Sequence, residues 1–154
     1  MDEKIVVPLD GSKVGEAALP YVEDIVLKLS PEVKTEVVLL QVISPANIPT
    51  VSGYASVPTP HGEDQLKETE KKSMEYLNQT GEALRNKGVT VTAKVAVGDA
   101  SEQIVKVAEE INANLIAMST HGRSGFSRWA FGSVTDKVLR REGRIPIAMK
   151  RAPR

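Results

Sequence analysis

Residues 114–136 of the chain read NLIAMSTHGRSGFSRWAFGSVTD, and the rest of the sequence is best interpreted outward from this stretch. A short apolar run at 115–118 predicts a buried strand, and a loop rich in glycine, serine and threonine follows it. The loop closes on Gly132 and Ser133, directly before a segment with helical periodicity. Glycines let backbone N–H groups approach a phosphate, and the first turn of a helix offers unpaired donors. The stretch therefore predicts an anion site between a strand and a helix.

Apolar and helical segments alternate along the whole chain. Strands are predicted at residues 4–9, 35–43, 89–97, 115–118 and 145–149, and helices at 13–29, 63–87, 99–111 and about 133–142. Such strict alternation is typical of a parallel sheet with right-handed crossovers. We therefore expect one α/β domain over residues 1–154. Its doubly wound sheet should have five parallel strands in the order 3-2-1-4-5, with helices on both faces.

Prolines and changes in the hydrophobic periodicity predict local features of the fold. Pro20 lies inside the first predicted helix, where it should cause a kink or a bulge. The alternating pattern of 89–97 and the proline in 145–149 both suit strands at a sheet edge. Residues 44–62 are rich in Pro, Ser, Gly and Thr and show no period, which predicts a loop without regular structure.

The composition argues against several classes of protein. The chain has no cysteine, so we expect no disulfide, thiolate metal site or cysteine nucleophile. Its two histidines, His61 and His121, lie too far apart to suggest a metal site. No apolar run reaches the roughly 18 residues of a membrane span, and the N-terminus has no secretory pattern. We expect a cytoplasmic protein with no structural metal and no membrane partner.

The net charge is zero at pH 7, but the charges are unevenly distributed. From Ser119 to the C-terminus there are nine Lys and Arg residues against two Asp and Glu residues, so this part carries +7 and the remainder −7. A neutral chain is a poor candidate for nonspecific nucleic-acid binding, and no nucleic-acid partner is expected. The basic surplus suits a small polyanion. The alternative is a solvated basic face with cations at helix C-termini.

The predicted topology also indicates where a ligand would bind. In open α/β sheets, ligands bind beyond the carboxyl ends of the strands, at the point where the strand order reverses. With strands one and four as neighbours, the loop at 8–12 faces the glycine-rich loop across that point. Asp10 could then accept hydrogen bonds from a ribose or another sugar-like donor. Alternatively, Asp10 is a turn or helix-cap residue.

Several common motifs are absent from the sequence. There is no Gly-x-x-x-x-Gly-Lys-Ser/Thr, which argues against a P-loop NTPase, and no Gly-x-Gly-x-x-Gly follows the first strand. Asp10, Ser119 and His121 could be combined into a nucleophile triad, but the sequence has no Gly-x-Ser-x-Gly nucleophile elbow. No catalytic residues are therefore predicted.

The segment STHG at 119–122, nine further residues and then Gly132-Ser133 form a distinctive pattern. With it the sequence resembles the universal stress protein family, whose nucleotide-binding branch carries Gly-x-x-Gly, nine residues, Gly and then Ser or Thr. The likeness also includes an opening strand ending in Pro-x-Asp, the LLQV second strand, a Gly-Asp before the third helix and a closing IPI strand. The resemblance implies an adenine nucleotide alpha hydrolase-like fold. It also implies a stress-response regulatory or signalling protein that binds ATP, ADP or AMP, with or without Mg²⁺.

The resemblance further implies roles for individual residues along the nucleotide. The adenine and ribose side would be lined by Pro8, Asp10 and Val42, with Asp10 on the ribose hydroxyls, and Met118, Ser119 and Gly122 would continue the path to the phosphates. The phosphates would be bound by Gly132, Ser133, Val134 and Thr135. Ser133 would also cap the last helix, in a capping box completed by Asp136.

One residue departs from the family pattern, because Ser119 stands where its first glycine is expected. The serine adds a side chain near the ribose path, and its hydroxyl could act as a donor there. In the same loop, Arg123 and Arg128 could reach phosphates, whereas Phe126, Trp129 and Phe131 more naturally pack over the loop.

Two other functions stay open: a slow ATPase, and a nucleotide-free interaction module that works through dimerisation. The resemblance implies a homodimer, and the strand at 145–149 could pair across a two-fold axis because it is expected to end the sheet.

Overall fold

The structure is a computed structural model, which describes residues 2–45, 60–120 and 133–153. Its strands are β1 (Asp2–Pro8), β2 (Lys34–Ile43), β3 (Thr90–Val97), β4 (Leu115–Thr120) and β5 (Ile147–Arg151). Its helices are α1 (Lys13–Glu16), α2 (Leu19–Lys28), α3 (Pro60–Arg85), α4 (Ala100–Glu110) and α5 (Ser133–Arg140). The predicted alternation of strands and helices is confirmed.

The five strands form one parallel sheet in the order β3-β2-β1-β4-β5, which confirms the predicted fold class. The central strand, β1, pairs with both neighbours, so that Val6 lies opposite Val38 on β2 and Ile116 on β4. Its continuous apolar run suits a strand that is covered on both faces. The strand order reverses between β1 and β4. A cleft is therefore expected at the carboxyl ends of these two strands.

Apolar layers cover the two faces of the sheet. On one face, Val7 packs with Leu77 of α3 and with side chains of α2. On the other face, Val6 packs with Ile104 of α4 and Val138 of α5. These side chains are almost completely buried. Successive residues of β1 thus serve opposite layers, which fixes the positions of the helices around the ends of the strands.

The first predicted helix is two helices in the structure. α1 ends at Glu16 and α2 begins at Leu19, with Pro20 in its first turn. A proline is tolerated there because the first N–H groups of a helix have no intrahelical acceptor. The expected kink is therefore a break, and α1 becomes a separate short helix beside the end of β1.

Two other boundaries differ from the prediction. β5 begins at Ile147 rather than at residue 145, so Pro146 precedes the strand, where its missing N–H removes no ladder bond. α3 begins at Pro60, so the last residues of the 44–62 segment are helical rather than irregular. Most of that segment lies outside the described residues. The predicted edge position of the 89–97 strand is confirmed by β3.

Candidate functional site

A cleft of about 300 Å³ opens at the carboxyl ends of β1 and β4. Of the ten residues predicted to bind a ligand, eight line it: Pro8, Asp10, Val42, Met118, Ser119, Ser133, Val134 and Thr135. The volume lies at the lower end of the usual range for small-molecule sites. The structure therefore brings together side chains from β1, β2, β4 and α5 at the predicted switch point.

Part of the predicted loop lies outside the described residues. This applies to the remaining two predicted binding residues, Gly122 and Gly132, and to the loop residues His121, Arg123, Phe126, Arg128, Trp129 and Phe131. The expected contacts of these residues stay predictions.

Asp10 forms a tight turn directly after β1. Its Oδ1 atom accepts hydrogen bonds from the Ser12 backbone N–H at 2.9 Å and from the Ser12 hydroxyl at 2.5 Å. Gly11 lies between them with φ +84°, a conformation that glycine adopts without strain. Asp10 is exposed, and within the described chain its second oxygen, Oδ2, accepts no hydrogen bond. The two roles considered for Asp10 are thus compatible, since one oxygen builds the turn and the other accepts no hydrogen bond from the described residues.

The short helix α1 follows this turn and forms one wall of the cleft. Ser12 is its N-cap and accepts a hydrogen bond from the Gly15 N–H at 3.0 Å. A Cβ atom at residue 15 would lie only 2.8 Å from Asp10 Oδ1. Gly15 therefore permits the close approach of the helix to the Asp10 carboxylate. Gly15 was not among the residues predicted to bind a ligand, although a glycine inside a predicted helix is a signal of a special packing role.

Ser119 connects β4 to α1. Its hydroxyl contacts the backbone carbonyl oxygens of Val14 and Gly15, and the Oγ–O distance to Gly15 is 2.9 Å. A serine hydroxyl has one hydrogen to donate, so these two carbonyls share it. In this structure the hydroxyl donates to the protein backbone. It would have to leave α1 before it could donate to a ligand, as the sequence analysis considered.

The inner part of the cleft is apolar. Val42 of β2 and Met118 of β4 are joined there by Leu40 and by Ala100 and Ile104 of α4. Neither α4 residue was among the predicted binding residues, and the helical spacing of Ile104 indicates packing against the sheet. Ile104 packs in the apolar layer against the sheet and also borders the cleft.

The start of α4 is fixed by a cap. Asp99 accepts a hydrogen bond from the Glu102 N–H at 3.0 Å and another from the Ser101 hydroxyl at 2.7 Å. The Ser101 bond, followed by the backbone bond, holds the pKa of Asp99 below its usual value. Asp99 is thus the N-cap of α4. Its effect is to hold Ala100 at the edge of the cleft.

The N-terminus of α5 borders the cleft opposite α1. Ser133, Val134 and Thr135 are the first three residues of this helix, and all three line the cleft. Ser133 was predicted as the cap and is part of the helix in the structure, and the residues before it lie outside the described part of the chain. Asp136, predicted to complete a capping box, accepts a hydrogen bond from Arg140 Nε at 2.9 Å. The first N–H groups of a helix lack intrahelical acceptors, and in α5 they lie beside the cleft.

A polar contact also ties α1 to α3 outside the cleft. The Tyr76 hydroxyl donates to Glu16 Oε1 at 3.0 Å, and Lys13 Nζ lies 3.0 Å from Glu16 Oε2. Burial, followed by the hydrogen bond to Glu16, raises the pKa of Tyr76 to about 12. Tyr76 therefore stays protonated and can keep donating to Glu16 well above neutral pH.

Neither a metal site nor a membrane span is present among the described residues. In that part of the chain no three His, Cys, Asp or Glu side chains are grouped so that they could hold a metal ion. None of the described helices is long and apolar enough to cross a membrane.

The fold and the cleft define a doubly wound α/β protein with a small-molecule cleft at the switch point of its sheet. Comparison with known proteins identifies the class more closely. The model of the universal stress protein family matches residues 1–142, and the chain belongs to this family. The universal stress protein MJ0577 of Methanocaldococcus jannaschii is 30% identical over 164 aligned residues, covering 98% of this chain and 96% of that protein.

Solved structures agree with this assignment. The structure of MJ0577 superposes with a TM-score of 0.79 at 25% identity, covering 99% of this chain and 97% of that one. A family member from Arabidopsis thaliana, solved with AMP bound, has a TM-score of 0.64 at 18% identity and covers 98% of this chain and 92% of that one. A universal stress protein in complex with cAMP has a TM-score of 0.64 at 17% identity, covering 97% and 96%. At these last two identities the likeness concerns the fold.

Proposed function

We propose that the cleft binds an adenine nucleotide, ATP, ADP or AMP, and that the protein is a regulatory or signalling module of the stress response. One observation carries this proposal. Eight of the ten residues predicted to contact a nucleotide line one cleft, although they come from segments far apart in the sequence. At most slow ATP hydrolysis is proposed, because Asp10 is the only one of these eight residues with an ionisable side chain that could serve as a general base.

The lining of the cleft suits the two ends of a nucleotide. The apolar inner part, with Val42, Met118 and Ile104, can cover a base, which is flat and largely apolar on its faces. Asp10 also lines the cleft, and its Oδ2 oxygen, which accepts no bond from the described residues, can accept hydrogen bonds from ribose hydroxyls. This division of the lining supports a ligand that has an apolar ring at one end and hydroxyls next to it.

The phosphates would lie against the N-terminus of α5. Ser133 and Thr135 supply hydroxyl groups there, and the first helical turn supplies backbone donors and the positive end of the helix dipole. We propose that Gly122 and Gly132 contact the phosphates through their backbone. Mg²⁺ accompanying ATP would be held mainly by phosphate oxygens and water, because the described residues offer no group of carboxylates for it.

Relatives that share the fold support the choice of an adenine nucleotide. One of them was solved with AMP and another with cAMP. Both ligands contain adenine, a ribose and one phosphate, and these are the parts for which the described cleft has matching groups.

Calorimetric titration of nucleotide-free protein with ATP tests the proposal. Asp10→Ala should weaken binding about tenfold or more, because hydrogen bonds to a charged group contribute about 1.5–3 kcal/mol. Asp24→Ala is the matched control, since Asp24 is an exposed carboxylate on α2 that pairs with Lys28 at 2.7 Å and does not line the cleft. Equal affinities of the Asp10 variant and the wild type would refute the assignment of the ribose site.

We also propose that residues 1–154 act as one cytoplasmic domain and form a homodimer through β5. The strand lies at an edge of the sheet and pairs with β4 on its other side. An edge strand presents unpaired backbone groups that a two-fold related copy could satisfy. Light scattering coupled to size-exclusion chromatography would show a dimer, and a monomer at micromolar concentration would contradict this arrangement.

One observation favours a second candidate function, an interaction module that binds no nucleotide. Ser119 places a side chain in the cleft at a position where the family pattern has a glycine. The absence of calorimetric heat with ATP, ADP and AMP alike would favour this candidate.

A further inference from the structure

The short helix α1 depends on contacts with other elements. It contains four residues, and such a helix is not stable alone because helix nucleation is unfavourable. Nevertheless, it forms a wall of the cleft through Val14 and Gly15. Glu16 is held from the outside by Tyr76 of α3. From the side of the cleft, α1 is held by the Ser119 hydroxyl.

The contact with Ser119 supplies a side-chain donor to two carbonyl groups of α1. The last carbonyl groups of a helix have no intrahelical donor. The Val14 carbonyl accepts one bond from the Ala17 N–H at 3.1 Å, and the Ser119 hydroxyl reaches both this carbonyl and that of Gly15. The bond therefore joins α1 to β4, the strand next to β1 at the switch point.

We propose that Ser119 is a positioning residue that latches α1 to β4 and so keeps Asp10 and Gly15 in the geometry that binds the nucleotide. The inference rests on the proposed nucleotide site and assigns to it a fixing contact particular to this chain. A glycine at residue 119 could not make this contact, because it has no hydroxyl. In this account the departure from the family pattern stabilises the cleft.

A steric account makes the opposite prediction. If the Ser119 side chain only narrows the ribose path, its removal should widen the cleft and strengthen binding. If the Ser119 hydroxyl instead holds α1 in place, its removal should release α1 and weaken ATP binding. The sign of the change in affinity for ATP therefore separates the two accounts.

The experiment compares Ser119→Ala, Ser119→Gly and Ser119→Thr with the wild type. Calorimetry measures ATP affinity, and hydrogen–deuterium exchange of the free protein measures the opening of residues 12–17. Loss of the bond should weaken ATP binding about two- to tenfold, the range that one hydrogen bond supports. It should also speed exchange at residues 14–17 by a similar factor. Ser119→Thr keeps the hydroxyl and should restore slow exchange.

Ser73→Ala is the control for the loss of a buried hydroxyl, because Ser73 is 6% exposed on α3 and does not line the cleft. Unchanged or tighter ATP binding by Ser119→Ala would overturn the proposal. Weaker binding with unchanged exchange would also overturn it, since a direct ligand contact would then be the cause. If wild-type protein binds no adenine nucleotide, the proposed function fails, and exchange in the free protein still shows whether Ser119 holds α1.

Discussion

Replacing Gly15 with alanine should weaken nucleotide binding and leave the stability of the protein nearly unchanged. The new Cβ would lie 2.8 Å from Asp10 Oδ1 and 3.4 Å from Ser12 Oγ. The first distance is too short, so the carboxylate must move away from the Ser12 N–H and hydroxyl that it now accepts from. Because Asp10 is exposed, its side chain can swing into solvent at little cost.

The expected magnitudes follow from these contacts. Alanine is favoured over glycine in a helix by up to about 1 kcal/mol, which offsets the weakened exposed bonds of Asp10. The free energy of unfolding should therefore change by less than about 1 kcal/mol. ATP affinity should fall about tenfold or more, because the displaced carboxylate no longer points at the ribose position.

Urea denaturation and calorimetry with ATP measure the two effects separately. Gly143→Ala is a suitable control, since the nearest atom to its added Cβ would be Val105 Cγ1 at an ordinary 3.6 Å. ATP affinity of Gly15→Ala equal to that of the wild type would refute the role assigned to the close approach between α1 and Asp10.

Three further variants test the packing and the charges around the site. Gly81→Ala places a Cβ 2.9 Å from Val91 Cγ1. Overpacking should outweigh the gain in helix propensity and lower the free energy of unfolding by about 1 kcal/mol. A variant that is more stable than the wild type in urea denaturation would contradict this. Because the pKa of Tyr76 is about 12 in the folded protein and 10 ordinarily, its stabilising effect is complete below pH about 10 and is lost as the pH rises towards 12. Tyr76→Phe should therefore lose less stability than the wild type between pH about 10 and about 12, and parallel losses in urea denaturation would disprove a raised pKa of Tyr76 in the folded protein. Asp99→Ala should lower the thermal midpoint through loss of the helix cap, whereas Asp99→Asn, which can still cap, should lower it less. Equal midpoints for the two variants would show that the cap bond is not the cause.

The sequence was sufficient to predict the fold because local signals and topology agree. Apolar runs such as 5–7 on β1 and the turns that end them define strands and helices, and the alternation of these elements leaves few parallel arrangements. The switch point follows from the strand order. For this reason Asp10 could be placed at the cleft from the topology, whereas Thr135 was assigned to the same site by what the family resemblance implies.

What the sequence could not predict is contact between distant backbone and side-chain atoms. The bond from Ser119 to the carbonyls of α1 depends on the break between α1 and α2, and the expected single helix over 13–29 concealed that break. The close approach of Gly15 to Asp10 depends on the same geometry. Ile104 was missed as a lining residue because its spacing gives the same signal for a core residue as for the wall of a cleft.

The most direct test of the proposed function is to purify the protein without added nucleotide, denature it, and identify the released small molecules by chromatography and mass spectrometry. Stripped protein is then titrated with ATP, ADP and AMP in a calorimeter, so that loss of a ligand during purification does not decide the outcome. The proposal predicts release of an adenine nucleotide, or saturable heat with at least one of the three. Neither release nor heat from folded protein would contradict the assignment of the cleft as a nucleotide site.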